Sequence, residues 1–259
     1  MFVPSGMSGK AALVTGAGAG LGQATAIRLA EVGADVAILD VAADGLAETA
    51  AAIAGHGRKA LVLPLDLSVR DNCRLAVAQT VAEYGRLDAL CNIAGVMRPG
   101  ATTEITDEDW DLTIRVNLEA PFFAIRAALP HLLAAQGAIV NVTSCAAFQG
   151  QAYFAAYCAT KSGLTNMTKA LAMEYMHAPI RINAVAPGGM MTGLTHGMAR
   201  IMHLDMGLIG RIGSVRPELC EIEDVAECVA FLATPAARGY HGACIQIDAG
   251  VTEVKAAPR

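Results

Sequence analysis

Seven short apolar runs constrain this chain more than any other feature. They are Ala12–Thr15, Val36–Asp40, Ala60–Pro64, Ala89–Asn92, Ala138–Thr143, Arg181–Ala186 and Ala243–Asp248. Runs this short, rich in branched residues and largely free of polar alternation, read as strands buried on both faces. Helical patterns at Leu21–Val32, Ala43–Ala54, Asp71–Tyr84, Asp107–Leu133, Ala155–Met176 and Glu223–Ala233 separate most of them. A strand that is apolar on both sides needs a helix layer on each side. The expected architecture is therefore α/β: a parallel, doubly wound, seven-stranded sheet with helices on both faces. Such sheets take ligands beyond the carboxyl ends of their strands, and every motif below falls at such an end.

The 259 residues allow one large domain or two small ones, and no repeat or linker divides them. Met190–Arg216 departs from the alternation. It is long, rich in Met and Gly, and lies at the ligand edge, so it is expected to form a lid over the substrate. A net charge of −5 with no Lys/Arg block argues against nucleic acid or an anionic membrane as partners. No apolar run reaches the roughly 18 residues of a membrane span. "MFVPSGMSGK" lacks the basic start and apolar stretch of a secretory signal. The expected location is cytoplasmic. Seven cysteines without a C-x-x-C pair point away from disulfides. Six histidines form neither H-E-x-x-H nor a Cys/His cluster, so no metal site is expected. Cys145 and Cys158 read as small buried fillers.

The stretch "LVTGAGAGLG" passes from strand to turn to helix, with Gly16, Gly20 and Gly22 in T-G-x-x-x-G-x-G spacing. Glycines there let the backbone approach a pyrophosphate, and the helix beginning near Leu21 aims free N–H groups at it. Asp40 ends the next strand eighteen residues past Gly22, close to the offset of about 20 at which an acid meets a ribose. A carboxylate in that position accepts from both ribose hydroxyls and repels a 2′-phosphate. Ala17, Ala19, Val41 and Ala42 supply no base to bind one. The expected cofactor is NAD(H).

In "AAYCATKSG", Tyr157 and Lys161 stand four apart, on one face of a helix. The spacing fits either packing plus a solvated charge or an acid–base pair. A free phenol, with a pKa near 10, is a poor base at neutral pH. A positive charge about 5 Å away contributes roughly 3 kcal/mol at an effective dielectric near 20, or about two pKa units. Lys161 is expected to provide that charge and oxidised nicotinamide to add to it, which together would bring Tyr157 near the working pH.

Taken together, "TGAGAGLG", Asp66 in "LDLS", "CNIAG", "VNL", "VTS", "YCATK" and "VAPGGMMT" occur in the order found in the short-chain dehydrogenase/reductase family. The chain resembles that family from Lys10 to about Val251, in its common single-domain, Rossmann-fold form. The resemblance implies that Gly16, Ala19, Gly20, Leu21 and Gly22 hold the dinucleotide phosphates and that Asp66 and Leu67 contact the adenine. Asn92, Ala94 and Gly95 would line the cofactor, and Pro187, Gly188, Met190 and Thr192 would hold its nicotinamide end. Asn117, Ser144, Tyr157 and Lys161 would form a catalytic tetrad, Tyr157 and Lys161 also meeting the cofactor. Ile93 departs from the family by replacing a common second asparagine. Ala19 departs by lacking a polar side chain in the glycine loop.

Within that frame Ser144, at a strand end, would orient the substrate oxygen. Pro121 follows Asn117 by four residues and has no N–H, so the Asn117 carbonyl is expected to lose a helical partner and hold a relay water. Tyr153 reads as pocket wall or packing, and Thr143 as structural. His196 and His203 read as exposed or substrate-edge residues, and Asp248 as a strand cap or subunit contact. Met190, Met191, Leu194, Met198, Ile201, Met202 and their neighbours make the lid apolar. The expected reaction interconverts a lipophilic or cyclic secondary alcohol and its ketone. The resemblance also implies a homotetramer. Two other functions fit parts of the pattern: reduction of 3-oxoacyl thioesters on a carrier protein, and a non-catalytic dinucleotide sensor.

Overall fold

The computed structural model describes residues 6–190, 201, 203–209 and 220–252. The strands are β1 (Ala11–Thr15), β2 (Asp35–Asp40), β3 (Ala60–Pro64), β4 (Ala89–Asn92), β5 (Ala138–Val142), β6 (Arg181–Pro187) and β7 (Cys244–Ile247). They form one sheet in the order β3-β2-β1-β4-β5-β6-β7, with every pairing parallel. Order reverses between β1 and β4, where the crevice of a doubly wound sheet opens. The helices are α1 (Gly20–Glu31), α2 (Ala43–Gly55), α3 (Arg70–Tyr84), α4 (Asp107–Ala135), α5 (Ala155–Glu174), the short α6 (Met206–Ile209) and α7 (Ile222–Ala233).

Neighbouring strand residues send their side chains to opposite faces, which explains why the runs are apolar throughout. Ala12 and Val14 of β1 join the core under α1, α2 and α7, with Leu29, Leu46 and Val229. Leu13, between them, joins the core under α3, α4 and α5, with Val77, Ile125 and Ala172. Leu13 is 1% exposed. The substitution Leu13→Ala is expected to lower the unfolding free energy by about 2–5 kcal/mol, read as a shifted midpoint in denaturant titration. A loss under about 1 kcal/mol would contradict this packing.

Two elements differ from the sequence reading. The helix over 107–135 is not uniform: Arg115–Glu119 is a π turn, where the Ala120 N–H reaches back five residues to the Arg115 carbonyl. An 18-residue window of the same helix has a mean hydropathy of 1.2, apolar enough by length and composition to cross a membrane. Pro121, Arg126, Pro130 and His131 interrupt the window, so it is not the unbroken apolar run that the sequence reading required of a membrane span. In the structure 33% of the window is buried, and Ala124, Ile125, Ala128 and Leu132 face the sheet.

All seven cysteines are free. Cys145 is buried, as expected of a filler, but Cys158 is only partly so. Among the described residues no cluster of His, Cys, Asp and Glu could hold a metal. Asp248 ends the β7 edge. Its carboxylate accepts from the N–H groups of Gly250 and Thr252 at 3.0 and 3.1 Å, the capping role foreseen for it.

Candidate active site

The ends of β1, β2, β4, β5 and β6 enclose a cleft of about 490 Å³. At one end is the turn between β1 and α1. Gly22 lies so close beneath this turn that a Cβ on it would stand 1.9 Å from the Gly16 carbonyl oxygen. Only glycine permits the contact that folds the loop under its own helix. Ala19 caps α1 without a side-chain hydrogen bond, leaving the first N–H groups of the helix to whatever fills the cleft. These features fit the pyrophosphate of a dinucleotide.

Asp40, at the end of β2, reaches into the same end of the cleft. One carboxylate oxygen accepts from the Gly18 N–H at 3.1 Å, the other from the Ala42 N–H at 3.0 Å. A Cβ on Gly18 would stand 2.9 Å from the Asp40 carboxyl carbon. Gly18 is therefore as much part of the site as Gly16 or Gly20. The sequence reading left it out, although the glycine repeat displayed it. Lys161 is the only lysine or arginine among the described residues that line the cleft.

The middle of the cleft is held by residues that do not line it. Thr15 Oγ1 accepts from the N–H groups of Ile93 and Ala94 at 3.0 and 3.1 Å, fixing the turn after β4. Asn117 is fully buried, and its amide grips the backbone of Val96. Oδ1 accepts from the Val96 N–H at 2.8 Å, and Nδ2 donates to the Val96 carbonyl at 2.9 Å. Asn92 lies behind the wall, donating to Asn141 Oδ1 at 2.8 Å. Neither asparagine lines the cleft. Gly16, Ala19, Gly20, Leu21, Gly22, Asp40, Asp66, Leu67, Ala94, Gly95, Ser144, Tyr157, Lys161, Pro187, Gly188 and Met190 all do. Thr192 and most of the expected lid lie outside the described residues. Val96, Leu112 and Val116 also line the cleft but were not singled out, since apolar wall residues look like any other core; Val41, Ile93 and Thr143, which were noted without a site role, line it too.

Ser144, Tyr157 and Lys161 converge at the far end. Lys161 is 3% exposed. Its Nζ donates to the Val142 carbonyl at 2.9 Å and lies 5.7 Å from the centre of the Tyr157 ring. Ser144 Oγ accepts from the Ala146 N–H at 3.1 Å. Its hydroxyl donates to Cys145 Sγ at 3.9 Å, and its proximity to the Tyr157 phenol acts in the direction that favours the phenolate.

Here the electrostatics differ from the sequence expectation. Burial pushes the Tyr157 phenol up to about 12, with the Ser144 hydroxyl opposing it, and nearby Cys145 and Cys158 add to the rise. Burial also pulls the Lys161 ammonium down to about 8. Desolvation acts on both partners and favours both neutral forms, so it outweighs the attraction on which the expectation rested.

A family description, short chain dehydrogenase, matches residues 10–200. The cis-4-hydroxycyclohexanecarboxylate dehydrogenase of Sinomonas cyclohexanicum is 39% identical over 95% of this chain and 97% of its own length. The chain belongs to the short-chain dehydrogenase family. It is an oxidoreductase of CH–OH groups with a dinucleotide cofactor. Two structures of the family bracket the cofactor choice. A short-chain dehydrogenase from Mycobacterium paratuberculosis bound to NAD superposes with a TM-score of 0.90 and is 29% identical. This chain is covered to 96% and that one to 100%. A short-chain dehydrogenase from Burkholderia cenocepacia in complex with NADP gives 0.85 at 34% identity, over 95% and 98% of the two chains.

Proposed function

We propose that this short-chain dehydrogenase uses NAD(H) to interconvert a cyclic, largely apolar secondary alcohol and its ketone. The observation that carries the cofactor choice is Asp40. Its carboxylate occupies the end of the cleft where a ribose would sit, and Lys161, the one lysine or arginine lining the cleft among the described residues, stands beside Val142 and Gly95. A 2′-phosphate would meet a carboxylate and no counter-charge. Substrate polarity follows from the surroundings of Tyr157. Among the described residues it packs with Phe154, Ile201, Ile209, Met97 and Leu204 in an apolar cluster separate from both sheet cores. The relative from Sinomonas is named for a ring alcohol.

A bound dinucleotide would supply the hydride acceptor for oxidation at the carbinol carbon and the hydride donor for reduction of the ketone. Tyr157 takes the hydroxyl proton in oxidation and gives it back in reduction. Ser144 orients the substrate oxygen and stabilises charge developing there. Lys161 holds the ribose hydroxyls and supplies positive charge. Asn117 positions Val96 in the cleft wall through its amide, while its carbonyl receives no bond from Pro121 and holds a water that connects Lys161 to solvent. Asp66 and Leu67 meet the adenine. Pro187, Gly188 and Met190 would meet the nicotinamide end. Exposed Trp110 and Phe122 on α4 and Met173 on α5 supply apolar faces for a homotetramer. The protein works in the cytoplasm, with no membrane or nucleic-acid partner.

The test follows absorbance of the reduced nicotinamide with cyclohexanol, 4-hydroxycyclohexanecarboxylate and a polyol, each with NAD and with NADP. Expected is turnover of the ring alcohols, with kcat/KM at least about tenfold higher for NAD than for NADP. Equal use of both cofactors would overturn the Asp40 argument. Activity confined to the polyol would overturn the substrate reading.

A further inference from the structure

Tyr153 holds a backbone conformation that a tyrosine rarely takes, with φ at +72°. A bulky residue at positive φ is strained unless its surroundings impose the geometry. Two contacts account for it. The Tyr153 carbonyl accepts from the Gly100 N–H at 3.0 Å, tying the segment before α5 to the loop after β4. The ring, half-buried, packs into the apolar cluster of Phe154, Ile201 and Ile209 that Tyr157 also joins. The next residue, Phe154, is 4% exposed and starts α5, where its carbonyl accepts from the Cys158 N–H at 2.8 Å. The left-handed turn thus seats Tyr153 in the apolar cluster that Tyr157 also joins, outside the lining of the dinucleotide cleft, without disturbing the helix that carries Tyr157 and Lys161.

We propose that Tyr153 is the specificity-determining residue of the substrate side: its ring, held in place by the left-handed turn, forms the flat wall against which a carbocycle lies while its hydroxyl meets Tyr157. This rests on the alcohol–ketone reading above. A rigid aromatic face suits the C–H surface of a six-membered ring, which covers it without losing internal rotation. An open-chain alcohol of equal carbon number loses rotational freedom to make the same contact. Tyr153 therefore sets the preference for ring over chain, not the rate of the chemical step.

Cyclohexanol and 2-hexanol are the probes, with saturating NAD, in the wild type, Tyr153→Phe and Tyr153→Gly. A glycine takes φ of +72° without strain, so Tyr153→Gly removes the wall without distorting the turn; relief of strain opposes the lost packing of the ring and the added unfolded-state entropy, and a cooperative thermal melt confirms that the variant is folded. Its ratio of kcat/KM for cyclohexanol over 2-hexanol is expected to fall at least about tenfold. The fall should come from a raised KM for cyclohexanol, with kcat and the NADH dissociation constant changed by less than about threefold. Tyr153→Phe keeps the ring and is expected to keep the ratio within about twofold. An unchanged ratio in Tyr153→Gly, with an active wild type, overturns this inference alone. A parallel loss on both alcohols with weakened NADH binding also overturns it, by showing a purely structural part for the turn. A wild type inactive on both alcohols overturns it together with the reading on which it rests.

Discussion

The Tyr157→Phe variant is expected to bind NADH as the wild type does and to lose turnover by at least about a thousandfold. The substitution deletes one oxygen and leaves the ring in its cluster with Phe154 and Ile201, so the cleft keeps its shape. It takes away the group that we propose exchanges the hydroxyl proton. Positioned acid–base groups contribute about 10² to 10⁴ in rate, and among the described residues no other side chain lining that end of the cleft is placed to replace the phenol. Ser144 is engaged with the Ala146 N–H, and Lys161 points at the Val142 carbonyl. Quenching of protein fluorescence by NADH and steady-state rates would be measured side by side. Turnover retained to within about tenfold would dismiss Tyr157 from the chemistry.

The same phenol fixes the sign of the pH dependence. Oxidation needs the phenolate, and burial raises the phenol to about 12 in the cofactor-free cleft. Oxidation should therefore climb as pH rises above neutrality, while reduction, which needs the protonated phenol, should hold at lower pH and fall only in the alkaline range. The positive charge that oxidised nicotinamide carries favours the phenolate and should shift the rise in oxidation below 12.

The Lys161→Met variant is expected to be inactive and yet more resistant to unfolding. Burial lowers the Lys161 pKa from 10.5 to about 8. Between those two values the unfolded chain binds more protons than the folded one, so the lysine's contribution to stability rises with pH across that window. Below pH 8 the folded protein carries the full cost of a desolvated ammonium, at most about 3 kcal/mol. The hydrogen bond from Nζ to Val142 offsets about 1 kcal/mol of it. Methionine fills a similar volume without charge. Denaturant titration without cofactor should show Lys161→Met stabilised by about 1–2 kcal/mol at pH 7, with the gain shrinking toward pH 10.5. Turnover should fall by at least about a hundredfold. A variant less stable than the wild type at pH 7 would show that the lysine's contacts outweigh its desolvation. The pairing of lost activity with gained stability is what a site strained for function predicts.

Much of this molecule was legible in one dimension. Each of the seven expected strands coincides with an observed one to within a residue or two at its ends, because apolarity on both faces is a local property of four to six residues. The glycine turn, Asp40 and the Tyr157–Lys161 spacing were legible for the same reason. A helix of 3.6 residues per turn places positions four apart together whatever surrounds it, and a strand end places its last residue at the crevice. What the sequence left undecided depends on distant segments meeting. The grip of the Asn117 amide on Val96 and the turning of Asn92 toward Asn141 arise from such meetings. So do the π turn within α4 and the positive φ of Tyr153. The desolvation of Tyr157 and Lys161 in the cofactor-free cleft was not legible for this reason too: spacing along a helix gives the distance between two charges, but desolvation is the sum of every atom packed around them, and only the folded chain assembles those atoms.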